Sequence, residues 1–230
     1  MLKRLLRKSF CFVIVTYMIK ALIFDFDGVL VLSEKARFGV LQTMAKRNGL
    51  IIKDELLRQI SGRTTKDFFQ NNFPTLDDNV LRNIIADYTA EYKDKIIDHV
   101  TPISFTNDFI KEYSGDKVIA VTSANTTKII ELLLSHLKLR DKISTVVGQE
   151  HVTKHKPDPE AYLYTAKQLR IPPEQCTVFE DTAVGVRAAL NAGMQVYSVL
   201  NGLNLKSDFA SLAVSGYVQN YDELMTVSNL

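Results

Sequence analysis

A chain of 230 residues, 46% of them hydrophobic, with a formal net charge of +2, has room for one domain with an insertion or two small domains and can fill a core. Nothing in that charge balance points to a nucleic-acid partner. Its two cysteines, Cys11 and Cys176, are too few and too far apart for a disulfide framework or a thiolate metal site, and a reducing cytoplasm is the simplest setting.

Residues 1–17 carry Lys3, Arg4, Arg7 and Lys8 and no acidic residue, which places +4 there and leaves −2 for the rest. With the apolar stretch from Phe10 to Ile19 they copy the outline of a secretory signal. No small-residue cleavage site precedes Lys20, however, and the stretch is shorter than the ~20 residues that span a bilayer. The reading is that Met18 is the natural start or that residues 1–17 are a peripheral extension, without stable membrane insertion; attachment to a membrane surface is the other option.

The run "ALIFDFDGVL" (21–30) opens as a buried strand over 21–24 and ends on two carboxylates, Asp25 and Asp27, with Gly28 allowing a tight turn behind them. Residues 33–100 differ in kind. They lack strand-like runs, and Val80, Leu81, Ile84, Ile85, Tyr88, Tyr92 and Ile96 recur at helical spacing behind the candidate caps Asp77 and Asp78. An earlier helix runs from Glu34 to Asn48 and is closed by Gly49. After residue 100, "KVIAV" (117–121), "STVVG" (144–148), "CTVFE" (176–180) and "QVYSV" (195–199) alternate with helical segments. Asp158 with Pro159 starts one of these helices and Gly193 follows another. That βα alternation implies a parallel sheet covered by helices on both faces.

Ligands bind beyond the carboxyl ends of such strands. Polar clusters occur at four of them: Asp25 and Asp27; Thr122, Ser123 and Asn125; Lys156; and Glu180 with Asp181. A carboxylate can attack phosphorus and split a slow hydrolysis into two steps, and a dianionic substrate then requires compensating positive charge from Lys156 and a divalent cation. Asp25 and Asp181 match the one or two carboxylates that Mg²⁺ takes while keeping room for phosphate and water. Ser123 and the backbone amides opening the helix near 126–138 are expected to hold phosphoryl oxygens. Asn125 does the same or contacts the substrate.

The segments "DFDGVL", "VTSAN", "KPDPE" and "VFEDTAVGVRAALNAGM" stand in the order of the four motifs of the haloacid dehalogenase superfamily, and the chain from residue 20 to about 222 resembles its phosphatase and phosphomutase branch. The resemblance implies an α/β fold: a Rossmann-like core, residues 18–32 and 101–230, with an inserted all-helical cap over 33–100. It also implies Asp25 as nucleophile, Asp27 as acid and base that lends its backbone carbonyl to the metal, Glu180 reaching Mg²⁺ through water, and Arg63 in the cap loop where relatives read their substrates. A small phosphorylated metabolite, foremost a sugar phosphate, is the implied partner.

Plainer readings stand beside these. An Asp after a strand is often a cap or turn former, Lys156 before "PDP" can be a surface lysine, and Arg63 can be a solvated loop residue. His151 and His155 are four apart, but Pro157 leaves little helix for a metal pair. Phe68, Phe69 and Phe73 read as core of the helical segment. Asp27 argues against dehalogenation, which needs no proton on its leaving group, and Lys53 and Lys66 lack the context of a Schiff-base lysine. Against β-phosphoglucomutase, its hinge histidine falls on Arg37 and its phosphate-gripping arginine on Thr65, which favours hydrolysis although Arg63 or Lys66 could substitute. Leu32 stands where relatives usually show an aspartate. A retired phosphatase serving as a binding module is the non-enzymatic alternative, and the sequence is silent on oligomeric state.

Overall fold

The computed structural model describes residues 18–60, 64–113 and 115–228; the extension 1–17 and Arg63 lie outside the described residues. Six parallel strands form the main sheet: β1 (Ala21–Asp25), β4 (Val118–Thr122), β5 (Thr145–Val147), β6 (Cys176–Glu180), β7 (Gln195–Val199) and β8 (Gly216–Val218), side by side as β5-β4-β1-β6-β7-β8. The chain runs outward from β1 through β4 to β5 and returns on the other side of β1 as β6. The loops leaving β1 and β6 therefore diverge and open a crevice at the carboxyl ends of the two central strands.

Every residue of β1 is buried, as expected of a strand covered on both faces. Leu22 and Phe24 point into one layer with Phe109 and Ile110 of α4 (Ser104–Glu112), Ile130 and Leu133 of α5 (Thr127–His136) and Leu224 of α8 (Tyr221–Ser228). Ala21 and Ile23 point into the other, with Tyr162 and Ala166 of α6 (Glu160–Leu169) and Val186 and Ala189 of α7 (Ala183–Asn191). Phe24 stacks on Phe179 at 4.7 Å between ring centres. Each such side chain contributes about 1.5–3 kcal/mol through burial, so the carboxylate at the end of β1 rests on a fully buried strand.

A second, two-stranded antiparallel sheet joins β2 (Val31–Leu32) to β3 (Thr101–Pro102). Between them lie α1 (Glu34–Arg47), α2 (Thr65–Asn72) and α3 (Asp78–His99). Of the candidate caps Asp77 and Asp78, Asp77 takes the role, accepting from the amides of Asn79 and Val80, while Asp78 is the first residue of α3; Thr64, not foreseen, caps α2 by accepting from the amide of Asp67. Phe68 and Phe69 are fully buried within the helical segment, Phe68 edge-on to both Phe38 and Phe69.

The structure adds elements that sequence pattern did not separate. The strands β2, β3 and β8 are only two or three residues long, too short to show a period. The strand expected at 117–121 sits one residue later. The helix expected to begin at Pro159 begins at Glu160, although Asp158 still caps it by accepting from the Glu160 amide at 3.0 Å.

Candidate active site

At the carboxyl end of β1, Asp25 is 6% exposed and Lys156 reaches it from the loop before α6, Nζ to Oδ1 2.6 Å. The same ammonium lies 2.6 Å from Glu180 Oε1 and 5.0 Å above the ring centre of Tyr162. Tyr162 donates its hydroxyl to that glutamate oxygen at 3.2 Å, while Thr182 donates both its amide and its hydroxyl to Oε2. Glu180 is thus fixed by four donors and is 1% exposed.

Asp181, 5% exposed, accepts from Asn201 Nδ2 through Oδ2, whereas its Oδ1 is buried without a hydrogen-bond partner. Asn201 also donates to the Gly28 carbonyl, and Asn204 to the Asp181 carbonyl, so the loop after β7 ties the β1 and β6 loops together. Two glycines make room for the acids. A Cβ on Gly28, whose φ is +80°, would stand 1.9 Å from Asp181 Oδ2, and one on Gly185 would stand 1.6 Å from Glu180 Oε1.

Asp27 is turned the other way. Ser33 donates to its Oδ1, and Asn125 Nδ2 (2.6 Å) and Ser123 Oγ (3.2 Å) donate to its Oδ2. Ser123 in turn accepts from the Asn125 amide. The anion site expected at the opening of α5 is partly taken, because the Thr127 amide donates to the Glu150 carboxylate at 2.9 and 3.2 Å. With that amide committed, Ser123 and Asn125 are the polar side chains of this loop that face Asp27. Thr122 turns into the core and pairs with Thr165 at 2.7 Å. His151 closes a short turn at Gly148 and stacks on Tyr164.

The structure therefore brings Asp25, Asp27, Ser123, Asn125, Lys156, Glu180 and Asp181 to one end of the sheet. Sequence reading missed Ser33, Tyr162, Thr182, Asn201 and Asn204. The polar loop "NGLN" directly after β7 was the available signal for the last two. Arg37 and Thr65, noted only by counting, line a cavity of about 380 Å³ between the helical segment and the sheet, together with Asp27 and Asn125.

Oxygens of Asp25, Glu180 and Asp181 lie within 4.8 Å of one another. Burial drives the carboxyls of Asp25 and Asp181 well above the ordinary 3.8; Lys156 offsets this only in part, and Glu180 adds to it. Three buried carboxylates facing one ammonium, with an orphaned Asp181 oxygen, fit a hard divalent cation with oxygen ligands. Asp27 lies outside this group by its side chain.

The family of haloacid dehalogenase-like hydrolases matches residues 22–199. The chain belongs to that family. Relatives of the chain include the fructose-1-phosphate phosphatase of Escherichia coli, 31% identical over 77% of this chain and 95% of that protein. The phosphorylated carbohydrates phosphatase of Thermotoga maritima is 30% identical over 80% of this chain and 87% of that protein. Among solved structures, a haloacid dehalogenase-like family protein from Streptococcus pneumoniae superposes with a TM-score of 0.80 at 19% identity, covering 91% of this chain and 98% of that one. Among the described residues of this haloacid dehalogenase-like chain, no helix is long and apolar enough to cross a membrane.

Proposed function

We propose that this enzyme, a phosphoric monoester hydrolase of the haloacid dehalogenase-like family, dephosphorylates a small sugar phosphate in the cytoplasm through an aspartyl phosphate on Asp25, with Mg²⁺ as cofactor. The observation that carries the reading is the single constellation of Asp25, Lys156, Glu180 and Asp181 at the end of the central strand, with Asp27 held apart from it. The sugar-phosphate class rests on the two phosphatase relatives.

In this reading Lys156 holds Asp25 by Oδ1 and presents its carboxylate to phosphorus. As the new oxygen–phosphorus bond forms and the ester bond breaks, Asp27 gives its proton to the departing alkoxide. In the second half Asp27 takes a proton from water, the water oxygen bonds to phosphorus, and Asp25 is released with inorganic phosphate. Ser123, Asn125 and Lys156 stabilise charge on the phosphoryl oxygens. Bound by Asp25, Asp181 and the Asp27 carbonyl, with Glu180 reaching it through water, Mg²⁺ would supply charge neutralisation to a dianionic ester. Asp27 is the candidate for the acid–base role because its side chain stands apart from the three carboxylates that would hold the metal and so stays free for proton transfer. The segment 33–100 acts as a cap that excludes bulk water over a core of 18–32 and 101–230.

The test is phosphate release from fructose 1-phosphate by the purified protein, with Mg²⁺ and with EDTA, beside Asp25→Asn. Release that needs the ion and falls about four orders of magnitude or more in the variant is expected. Equal rates in all three would leave only a binding module, and a rearranged sugar phosphate as main product would mark a mutase.

A further inference from the structure

The cavity above Asp27 has an inner wall that the chemistry of phosphate does not use. Tyr88 and Tyr92, one turn apart on α3, stack at 4.7 Å between ring centres and line the cavity with Arg37 of α1. Tyr92 is 1% exposed, and its hydroxyl meets no partner at hydrogen-bond geometry among the described residues, with the Tyr88 hydroxyl as its polar neighbour. A buried phenol without a partner is costly unless something else satisfies it. Burial pushes Tyr88 up to about 12, with Arg37 beside it pulling back, and pushes Tyr92 up as well; Asp27 contributes to both rises. Both phenols thus keep their protons at neutral pH and serve as donors, near enough to Asp27 to feel its charge.

The charge of the wall narrows what it can hold. Lys66 and Lys128 also line the cavity but are solvent-exposed. Among the described lining residues, Arg37 and Asp27 are the charged side chains that are not solvent-exposed. A nearly balanced surface with stacked rings and phenolic donors suits a neutral leaving group that has hydroxyls on its edges and C–H groups on its faces. The volume, about 380 Å³, is at the small end for ligand sites.

We propose that Tyr88, Tyr92 and Arg37 form a specificity wall that recognises a neutral, polyhydroxylated leaving group of a single monosaccharide, discriminating against short anionic ones such as glycolate. This rests on the phosphatase reading above and names three residues that determine its selectivity.

The experiment compares kcat/KM for fructose 1-phosphate with that for p-nitrophenyl phosphate, whose leaving group lacks a sugar's hydroxyls, in the wild type, Tyr88→Phe and Tyr92→Phe. Both substitutions keep the ring. The loss of one neutral hydrogen bond predicts that the ratio falls about three- to ten-fold, and a fall of threefold or more in either variant supports the wall. A smaller change in both, with both substrates still hydrolysed by the wild type, overturns the wall and leaves the phosphatase reading standing. A wild-type protein that prefers phosphoglycolate to fructose 1-phosphate likewise overturns the wall alone. A wild-type protein that hydrolyses none of these esters overturns both.

Discussion

Lys156 is the residue on which the buried charges balance. Its ammonium and the carboxylates it joins are almost completely shielded, so removing it leaves like charges facing each other without solvent. Breaking a buried pair in this way costs about 3–5 kcal/mol, and a chain of this size shifts by about 2–4 °C per kcal/mol. Lys156→Met is expected to melt roughly 6–20 °C lower at pH 7 without metal, read by calorimetry. Asp181 gives a prediction of opposite sign. Its carboxyl and that of Asp25 are held above 3.8, chiefly by burial, so the folded state keeps protons that the unfolded chain releases. The stability linked to them is whole below about pH 4 and is lost as pH climbs through the raised values. In EDTA, Asp181→Asn should therefore become more stable than wild type as pH rises toward 8, with a widening gap that Mg²⁺ reverses. A variant less stable than wild type at pH 7 without metal would contradict the charge argument.

At the scale of elements, loops and helix ends aim these groups. Thr106 and Asn107, buried in the first turn of α4, donate to the carbonyls of Val29 and Leu30 at 2.6 and 2.7 Å, fastening the loop that carries Asp27. The first turn of α7 gives a sharper test. Replacing glycine by alanine inside a helix normally gains about 1 kcal/mol, but at Gly185 the new methyl would collide with Glu180. The collision decides the sign: Gly185→Ala should lower both the melting temperature and kcat, the latter about tenfold or more, and an unchanged kcat would show that Glu180 can move aside. The sequence makes the reason for Gly28 half legible, because a tight turn beside two aspartates was apparent. Gly185 was opaque, since its constraint arises only when the Glu180 side chain folds back over the helix that follows it. The strand ends of β1, β4 and β6 were legible from apolar runs that stop at polar clusters. Tyr162 was not, because its partner Glu180 lies 18 residues away in sequence and meets it only in the folded structure.

For the whole molecule, the crossover that puts β6 beside β1 converts motifs separated by more than 150 residues into one pocket, which is why their order along the chain was as informative as their composition. If that pocket takes an anion and a dication together, orthovanadate with Mg²⁺ should raise the melting temperature by more than the sum of each alone. Ligand at a hundred times its dissociation constant adds about 2.7 kcal/mol, or roughly 5–10 °C; strictly additive shifts would indicate separate sites. The short strands mark the limit of sequence reading here: elements of two or three residues are too brief to show a period.

The pairing of Leu32 with Thr101 and of Val31 with Pro102 has a consequence for how such an enzyme changes. The long helical excursion departs and returns through two hydrogen-bonded neighbours, so both of its chain connections lie at one socket. A different set of helices can be plugged in there without disturbing one rung of the parallel ladder, which lets new selectivities be tried while the reaction chemistry is inherited intact.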